Sequence, residues 1–133
     1  MNETAGVREG ARLGPRERVR SKNEFAALFR GGRRGGDDVV RVLVGPNGLA
    51  WSRIASSVPR RYGNAVKRNR MRRLYRQAFQ LEKANVPTGY DILFSPPRGS
   101  RAPSLEALRA AIVAQVTRVV RRLERSQAKD ANV

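Results

Sequence analysis

In 133 residues the chain has no cysteine and no histidine. The first absence removes disulfides, thiolate nucleophiles and zinc ribbons together. The second removes the commonest general base and metal ligand. Acids are scarce as well: 11 Asp and Glu stand against 28 Lys and Arg, a formal charge of +17. Asp37, Asp38 and Asp91 are scattered along the chain and make no convincing acid and base pair for phosphodiester chemistry. These absences weigh against most protein-borne catalysis. No run of about 18 apolar residues occurs, so no segment reads as a bilayer-spanning helix. The N-terminal residues lack the apolar core of a secretory signal, and the expected compartment is the cytoplasm.

What is present is charge of one sign. A balance this basic implies a polyanionic partner, either nucleic acid or an anionic membrane surface. Between Arg60 and Arg76 there are eight Lys or Arg and no acid. If this stretch is helical from about residue 64 to 83, steps of about 100° place Met71, Leu74, Tyr75 and Ala78 on one apolar face. Asn69, Arg72, Arg73 and Arg76 then cluster opposite, with Arg70 and Gln77 continuing the polar arc. A charge run on a helix is usually a solvated face. Solvated faces normally mix signs so that acids and bases pair at i,i+4, and this one offers no partner within itself. Guanidinium groups present a planar donor fork that matches phosphate oxygens. Charge reversal at Arg72 and Arg76 is therefore expected to weaken polyanion binding without unfolding the domain.

The length suits a single domain. Residues 1–20 read as a mobile basic arm, in which Arg12, Arg16, Arg18 and Arg20 could reach phosphates. Ser21 and Glu24 have capping-box spacing and open a short helix ending at Gly31 and Gly32. Its Phe25, Leu28 and Phe29 recur at i, i+3 and i+4. Phenylalanines so placed are more often core than ligand platform, and the alternative is a groove in which one of them stacks on an unpaired base. An extra short strand near 33–37, a strand over 39–44, a Pro46-Asn47-Gly48 turn and a strand over about 49–57 follow. Trp51 reads equally as a packing residue or a stacking one. After the basic helix come a strand at 90–94 and a helix capped by Ser104, with Leu105, Leu108, Ile112, Val116, Val119 and Leu123 on one face. The arm, a domain over 21–125 and a frayed tail at 126–133 complete the division. The element order predicts an α/β sandwich with one partly open face.

At Gly63-Asn-Ala-Val-Lys-Arg-Asn-Arg-Met-Arg-Arg-Leu-Tyr-Arg-Gln-Ala-Phe79 the sequence closely resembles the protein subunit of bacterial ribonuclease P, whose mark is a Gly-Asn-Ala-Val-x-Arg-Asn-Arg run. The segments Arg18 to Phe25 and Gly89 to Leu93 resemble the same family, and the likeness covers about residues 16–125. It implies a single-domain α/β sandwich of the ribosomal protein S5 domain 2-like type, a small mostly antiparallel sheet with three helices and an unusual left-handed βαβ crossover. It implies one protein per catalytic RNA, with the RNA subunit cutting the 5′ leader from precursor tRNA. No cofactor is expected on the chain itself, and magnesium would be held by the RNA partner.

Carried over by position, Arg68, Asn69 and Arg70 would dock on the RNA subunit. Arg60, Arg61, Lys67, Arg72, Arg73 and Arg76 would add phosphate contacts, and Phe25 and Phe29 would line a leader groove between the first helix and the sheet. Two departures stand out. The family's Ser-Lys-Lys reads Pro59-Arg60-Arg61 here, and its first strand often carries an aromatic where this chain has Val42 and Leu43. Two other readings share the charge: a general RNA-binding or ribosome-associated module, and an autonomous metal nuclease.

Overall fold

A four-stranded mixed sheet carries the molecule, in the order β1-β2-β4-β3. The computed structural model describes residues 14–131. Its strands are β1 (Arg33–Gly36), β2 (Arg41–Pro46), β3 (Arg53–Ser56) and β4 (Tyr90–Ser95). The helices are α1 (Lys22–Gly31), α2 (Ala65–Glu82) and α3 (Leu105–Ala131). β1 and β4 both pair antiparallel with β2, while β3 pairs parallel with β4, so β3-α2-β4 is the crossover unit. The α/β class and the three-helix count match the sequence expectation.

Period-2 alternation sorts the strands between two faces. Val42, Val44, Ile54, Ile92 and Phe94 point to one side and are buried with Met71, Tyr75 and Phe79 of α2 and Leu108, Ile112 and Val116 of α3. This is the main core. The stripe predicted on the basic helix holds: Met71, Tyr75 and Ala78 are buried, and Leu74 packs against them. Tyr75 stacks on Phe94 with ring centroids 5.6 Å apart. On the other face Leu43 and Leu93 form a small cluster with Leu28 of α1, flanked by Phe25 and Ala55. One short helix cannot cover a four-stranded face, so part of it stays open.

Ion pairs fasten α1 over one end of that second face. Arg53 forks onto the buried Asp91 through Nε (2.8 Å) and an Nη (2.7 Å), and its other Nη reaches Glu24. Asn47 donates to the same Asp91 at 3.0 Å. The Ser21 and Glu24 capping box forms as predicted, with the Glu24 amide donating to Ser21 Oγ at 3.1 Å.

Several boundaries differ from those read in the sequence, each for a local hydrogen-bonding reason. The amides of Val39 and Val40 donate to Asp37 Oδ1 at 2.9 and 3.0 Å, so β2 starts at Arg41 and not at Val39. Asn47 accepts from the Leu49 amide at 2.8 Å and donates to the Trp51 carbonyl at 3.1 Å. Those backbone groups are lost to the ladder, and β3 shrinks to Arg53–Ser56. The last helix continues through Ala131, into the stretch expected to be a tail at 126–133, and Arg33 of β1 donates to Ser126 on it at 2.9 Å.

Residues 14–20 are not a free arm. Pro15–Glu17 form a 3-10 turn, Arg18 bridges to Ile54, and the buried Val19 donates its amide to the Ile54 carbonyl at 3.0 Å. Trp51 explains the anchoring. Its Nε1 donates to the Arg16 carbonyl at 2.7 Å, and the Arg16 guanidinium lies 4.7 Å from its ring centroid. Trp51 is therefore a packing residue for this segment. Arg12 lies outside the described residues.

Candidate nucleic-acid interface

The basic stretch becomes a rigid surface because α2 is fixed at its start and buried along one side. Asn64 caps it, accepting from the Lys67 amide at 3.0 Å. Gly63 precedes the cap at φ +157°, where an added Cβ would stand 2.8 and 3.1 Å from side-chain carbons of Lys67. The 3-10 turn Arg60–Tyr62 leads into this junction and carries Arg60 and Arg61, both exposed.

A helical step of about 100° spreads the motif across three directions. Arg68, Arg72 and Arg76 follow one another at i,i+4 along one flank, and all three are half-buried. Asn69 and Arg73 lie on the exposed crest. Lys67 and Arg70 share the opposite flank with Leu74 and turn toward the loop before α3. Arg72 and Arg76 were expected to point straight away from the core; they sit at its boundary instead. Asn69 does local work too, since its Oδ1 accepts from the Arg72 guanidinium at 2.9 Å and so orients it.

Arg76 lines a small cavity at the β3 edge with Arg18, Phe25, Ala55 and Ser56. Burial depresses its pKa, and the neighbouring Arg18, Arg73 and Arg72 add to the effect by repulsion. Its charged form is thus held at a cost that a bound anion would relieve. The phenol of Tyr75 lines the same cavity, buried and without a hydrogen-bond partner in the structure. Burial raises its pKa, so it remains neutral.

The uncovered part of the second sheet face is a shallow groove of about 280 Å³. Leu43 and Leu93 line it, with Arg34, Arg41, Arg61 and Arg98 around them. Strand register explains the convergence: Arg34 pairs with Leu43 and Leu43 with Leu93, so the three share a face. Leu93 in turn pairs with Ala55, which brings the face to the Arg18 and Arg76 cavity. No acidic side chain lines either depression.

Of the two candidate groove aromatics, Phe25 is half-buried against the small cluster under α1 and lines the β3-edge cavity. Phe29, one turn on, is 54% exposed. The two positions that differ from the usual aromatic separate as well: Val42 is buried in the main core, and Leu43 belongs to the groove side.

Among the expected RNA contacts, the structure groups Arg68, Arg72 and Arg76 on one flank, Lys67 and Arg70 on another, and Arg61 with the sheet groove. Arg34, Arg41 and Arg98 escaped the sequence reading. Only strand register and the path of the loop after β4 bring them together, and neither has a local sequence signal. Among the described residues, no group of three or more His, Cys, Asp or Glu could hold a metal ion, and no helix is long and apolar enough to cross a membrane.

An α/β domain whose cations converge on one helix and one open sheet face, with no acid lining either depression of that face, has the charge layout typical of small nucleic-acid-binding proteins. Comparison with known proteins narrows the class. The family model Ribonuclease P matches residues 13–124, and the chain belongs to the ribonuclease P protein family. The Ribonuclease P protein component of Petrotoga mobilis is 34% identical over 117 residues, covering 87% of this chain and 98% of that protein. The Thermotoga maritima counterpart is 36% identical over 81 residues, 61% of this chain and 69% of that one. The solved Thermotoga maritima RNase P protein superposes with a TM-score of 0.69 at 28% identity, covering 77% of this chain and 97% of its own. The Staphylococcus aureus RNase P protein has the same fold, with a TM-score of 0.66 at 20% identity over 78% of this chain and 94% of its own.

Proposed function

We propose that this chain is the RNA-binding subunit that helps a catalytic RNA remove the 5′ leader from precursor tRNA. One observation carries the reading. Two separately built cationic surfaces, the Arg68 to Arg76 helix and the arginine-rimmed sheet groove, sit on one rigid domain. A single polyanion would need one surface; a ribonucleoprotein that must dock on its RNA and hold a single-stranded leader needs two. In this reading Arg68, Asn69, Arg70 and the neighbouring Lys67, Arg72 and Arg73 lie against the RNA subunit. The groove of Arg34, Arg41, Arg61 and Arg98 takes leader phosphates over an apolar floor, and Phe25 and Phe29 flank α1 where unpaired bases would stack.

The chain's part is electrostatic. It neutralises phosphates of the leader and the RNA subunit, raises substrate affinity, and stabilises the places where the RNA holds magnesium. Bond cleavage falls to the RNA, because the acids with nearby partners serve as structural links and no histidine exists. One protein per RNA and a cytoplasmic setting fit this role.

Reconstitution is the test. The chain is added to a bacterial ribonuclease P RNA at low magnesium, 5′ processing is followed, and affinities for precursor and mature tRNA are compared. Restored processing with preference for precursor tRNA supports the proposal. Binding without that preference would leave a general RNA-binding module, and magnesium-dependent cleavage by the protein alone would make it a nuclease.

A further inference from the structure

A further depression lies outside both the groove and the Arg68 flank. It is a cavity of about 440 Å³ between the start of α2 and the loop leading into α3, within the ~300–1,000 Å³ range of ligand sites. Its wall on the α2 side is Tyr62, Met71 and Leu74, and on the loop side Ala102 and Pro103. The Tyr62 hydroxyl donates to Met71 Sδ at 3.3 Å, which fixes the ring as part of the wall. Lys67, Arg70 and Arg101 supply its charge; all are exposed, and none has an ion-pair partner among the described residues.

An apolar, aromatic-walled slot beside three free cations and no acid matches one chemistry closely. A nucleobase has an apolar face that gains by leaving water for such walls, and the phosphates on either side of it must then be neutralised. An apolar peptide would satisfy the walls and leave the cations without purpose. A folded duplex would satisfy the cations and leave the cavity empty. We infer that the Tyr62–Met71–Leu74 cavity captures one unpaired base of the RNA on which α2 docks, with Lys67, Arg70 and Arg101 holding its flanking phosphates. The inference rests on the docking reading above and adds a base-selective element to it. It also gives Arg70 a task different from that of Arg68: the two arginines of the motif lie on opposite flanks of α2, and of the two Arg70 lines the base pocket.

Ala102→Trp tests this on the full chain. Ala102 is an exposed loop residue on the cavity wall, so an indole there fills the slot and leaves every charge in place. Loss of one stacked base is expected to lower affinity for a bacterial ribonuclease P RNA at least about fivefold, with an unchanged salt slope. In the unsubstituted chain, adenosine monophosphate is expected to shift the Met71 and Leu74 methyl NMR signals, and ribose 5-phosphate is not. Ala102→Trp abolishes those shifts. Thermal melting of the variant checks that it is folded. RNA affinity equal to that of the parent, or equal methyl shifts with both small probes, overturns the inference. If the parent itself fails to bind the RNA, the docking reading fails, and the methyl titration still judges the cavity.

Discussion

Neutralising the sheet groove separates phosphate binding from fold. Arg34, Arg41, Arg61 and Arg98 are exposed, line one depression and have no ion-pair partner among the described residues. Replacing all four with alanine removes no core contact, so the melting temperature is expected to stay close to that of the parent. Each phosphate neutralised on a single strand contributes about 0.7 to the slope of log affinity against log salt. Four such contacts contribute up to about 2.8, so between 50 and 200 mM salt the parent is expected to lose about 50-fold more affinity than the variant. The assay is fluorescence anisotropy with a precursor tRNA bound to the RNA subunit, titrated across that salt range, with mature tRNA as the control. Precursor and mature tRNA are expected to converge in affinity in the variant, because only the leader is lost to the groove. An unchanged slope and an unchanged preference for precursor would refute the assignment of the groove to the leader.

The two aromatics of α1 are expected to respond differently. Phe25→Ala empties part of the cluster with Leu28, Leu43 and Leu93 and costs about 2 kcal/mol in denaturant unfolding, whereas Phe29→Ala, at an exposed position, leaves stability within about 0.5 kcal/mol and reduces leader affinity; a large stability loss in the second variant counts against its exposure. Glu24 sets an acid-sensitive step: the amides of Arg20 and Ser21, then the Arg53 guanidinium, hold its pKa at about 2. A carboxylate depressed on folding stabilises the native state above its unfolded value near 4.3 and loses that contribution as pH falls toward 2. Glu24→Gln is thus expected to flatten the dependence of melting temperature on pH over that window, and identical profiles would refute it. Arg76→Gln relieves the repulsion with Arg18, Arg72 and Arg73. Stability is expected to hold or rise while the salt slope for RNA binding falls by about 0.7–0.9, and an unfolded variant would show that Arg76 is structural.

The legible parts of this molecule were those written in local periodicity. The core stripe of α2, the capping box at Ser21 and Glu24, and the long amphipathic helix from Leu105 all follow from spacing along one helix. The misread parts depended on a polar side chain taking backbone groups from a distance of two to four residues. Asp37 claims the amides of Val39 and Val40, and Asn47 claims the Leu49 amide and the Trp51 carbonyl, so both strands start later than the sequence suggests. The groove was illegible for another reason. Its arginines come from β1, β2, the turn before α2 and the loop after β4, and they meet only through cross-strand register and the paths of that turn and loop. Residues 14–20 of the arm were misread because Gly, Pro and Arg indicate mobility, whereas Trp51, 35 residues away from Arg16, supplies the anchor; residues 1–13 lie outside the described residues.

The scarcity of acids acquires a structural meaning once the ion pairs are placed. Glu17 reaches Lys83 at 3.0 Å and ties the N-terminal segment to the end of α2. Glu24 and Asp91 share Arg53 between α1 and the sheet, and Glu82 meets Arg109 between α2 and α3 at 2.6 Å. Asp37 holds the turn between β1 and β2 and lies 3.4 Å from the Gln115 amide on α3. Acid after acid sits at a junction between elements, and none of these pairs includes an arginine of the Arg68 to Arg76 run. The more exposed pairs contribute little, about 0–1 kcal/mol each, and the buried Arg53–Asp91 pair must first offset its own desolvation, so their value here is geometric. They fix α1, the N-terminal segment and α3 around the sheet while leaving the guanidinium groups of that run without a paired acid. Uncompensated like charge is a standing cost to the folded chain, which the buried Tyr75, Phe79 and Phe94 cluster offsets. A ligand that binds only the folded state and supplies the missing negative charge must then stabilise the fold as it binds, so docking on RNA and completing the protein's own electrostatics are one event.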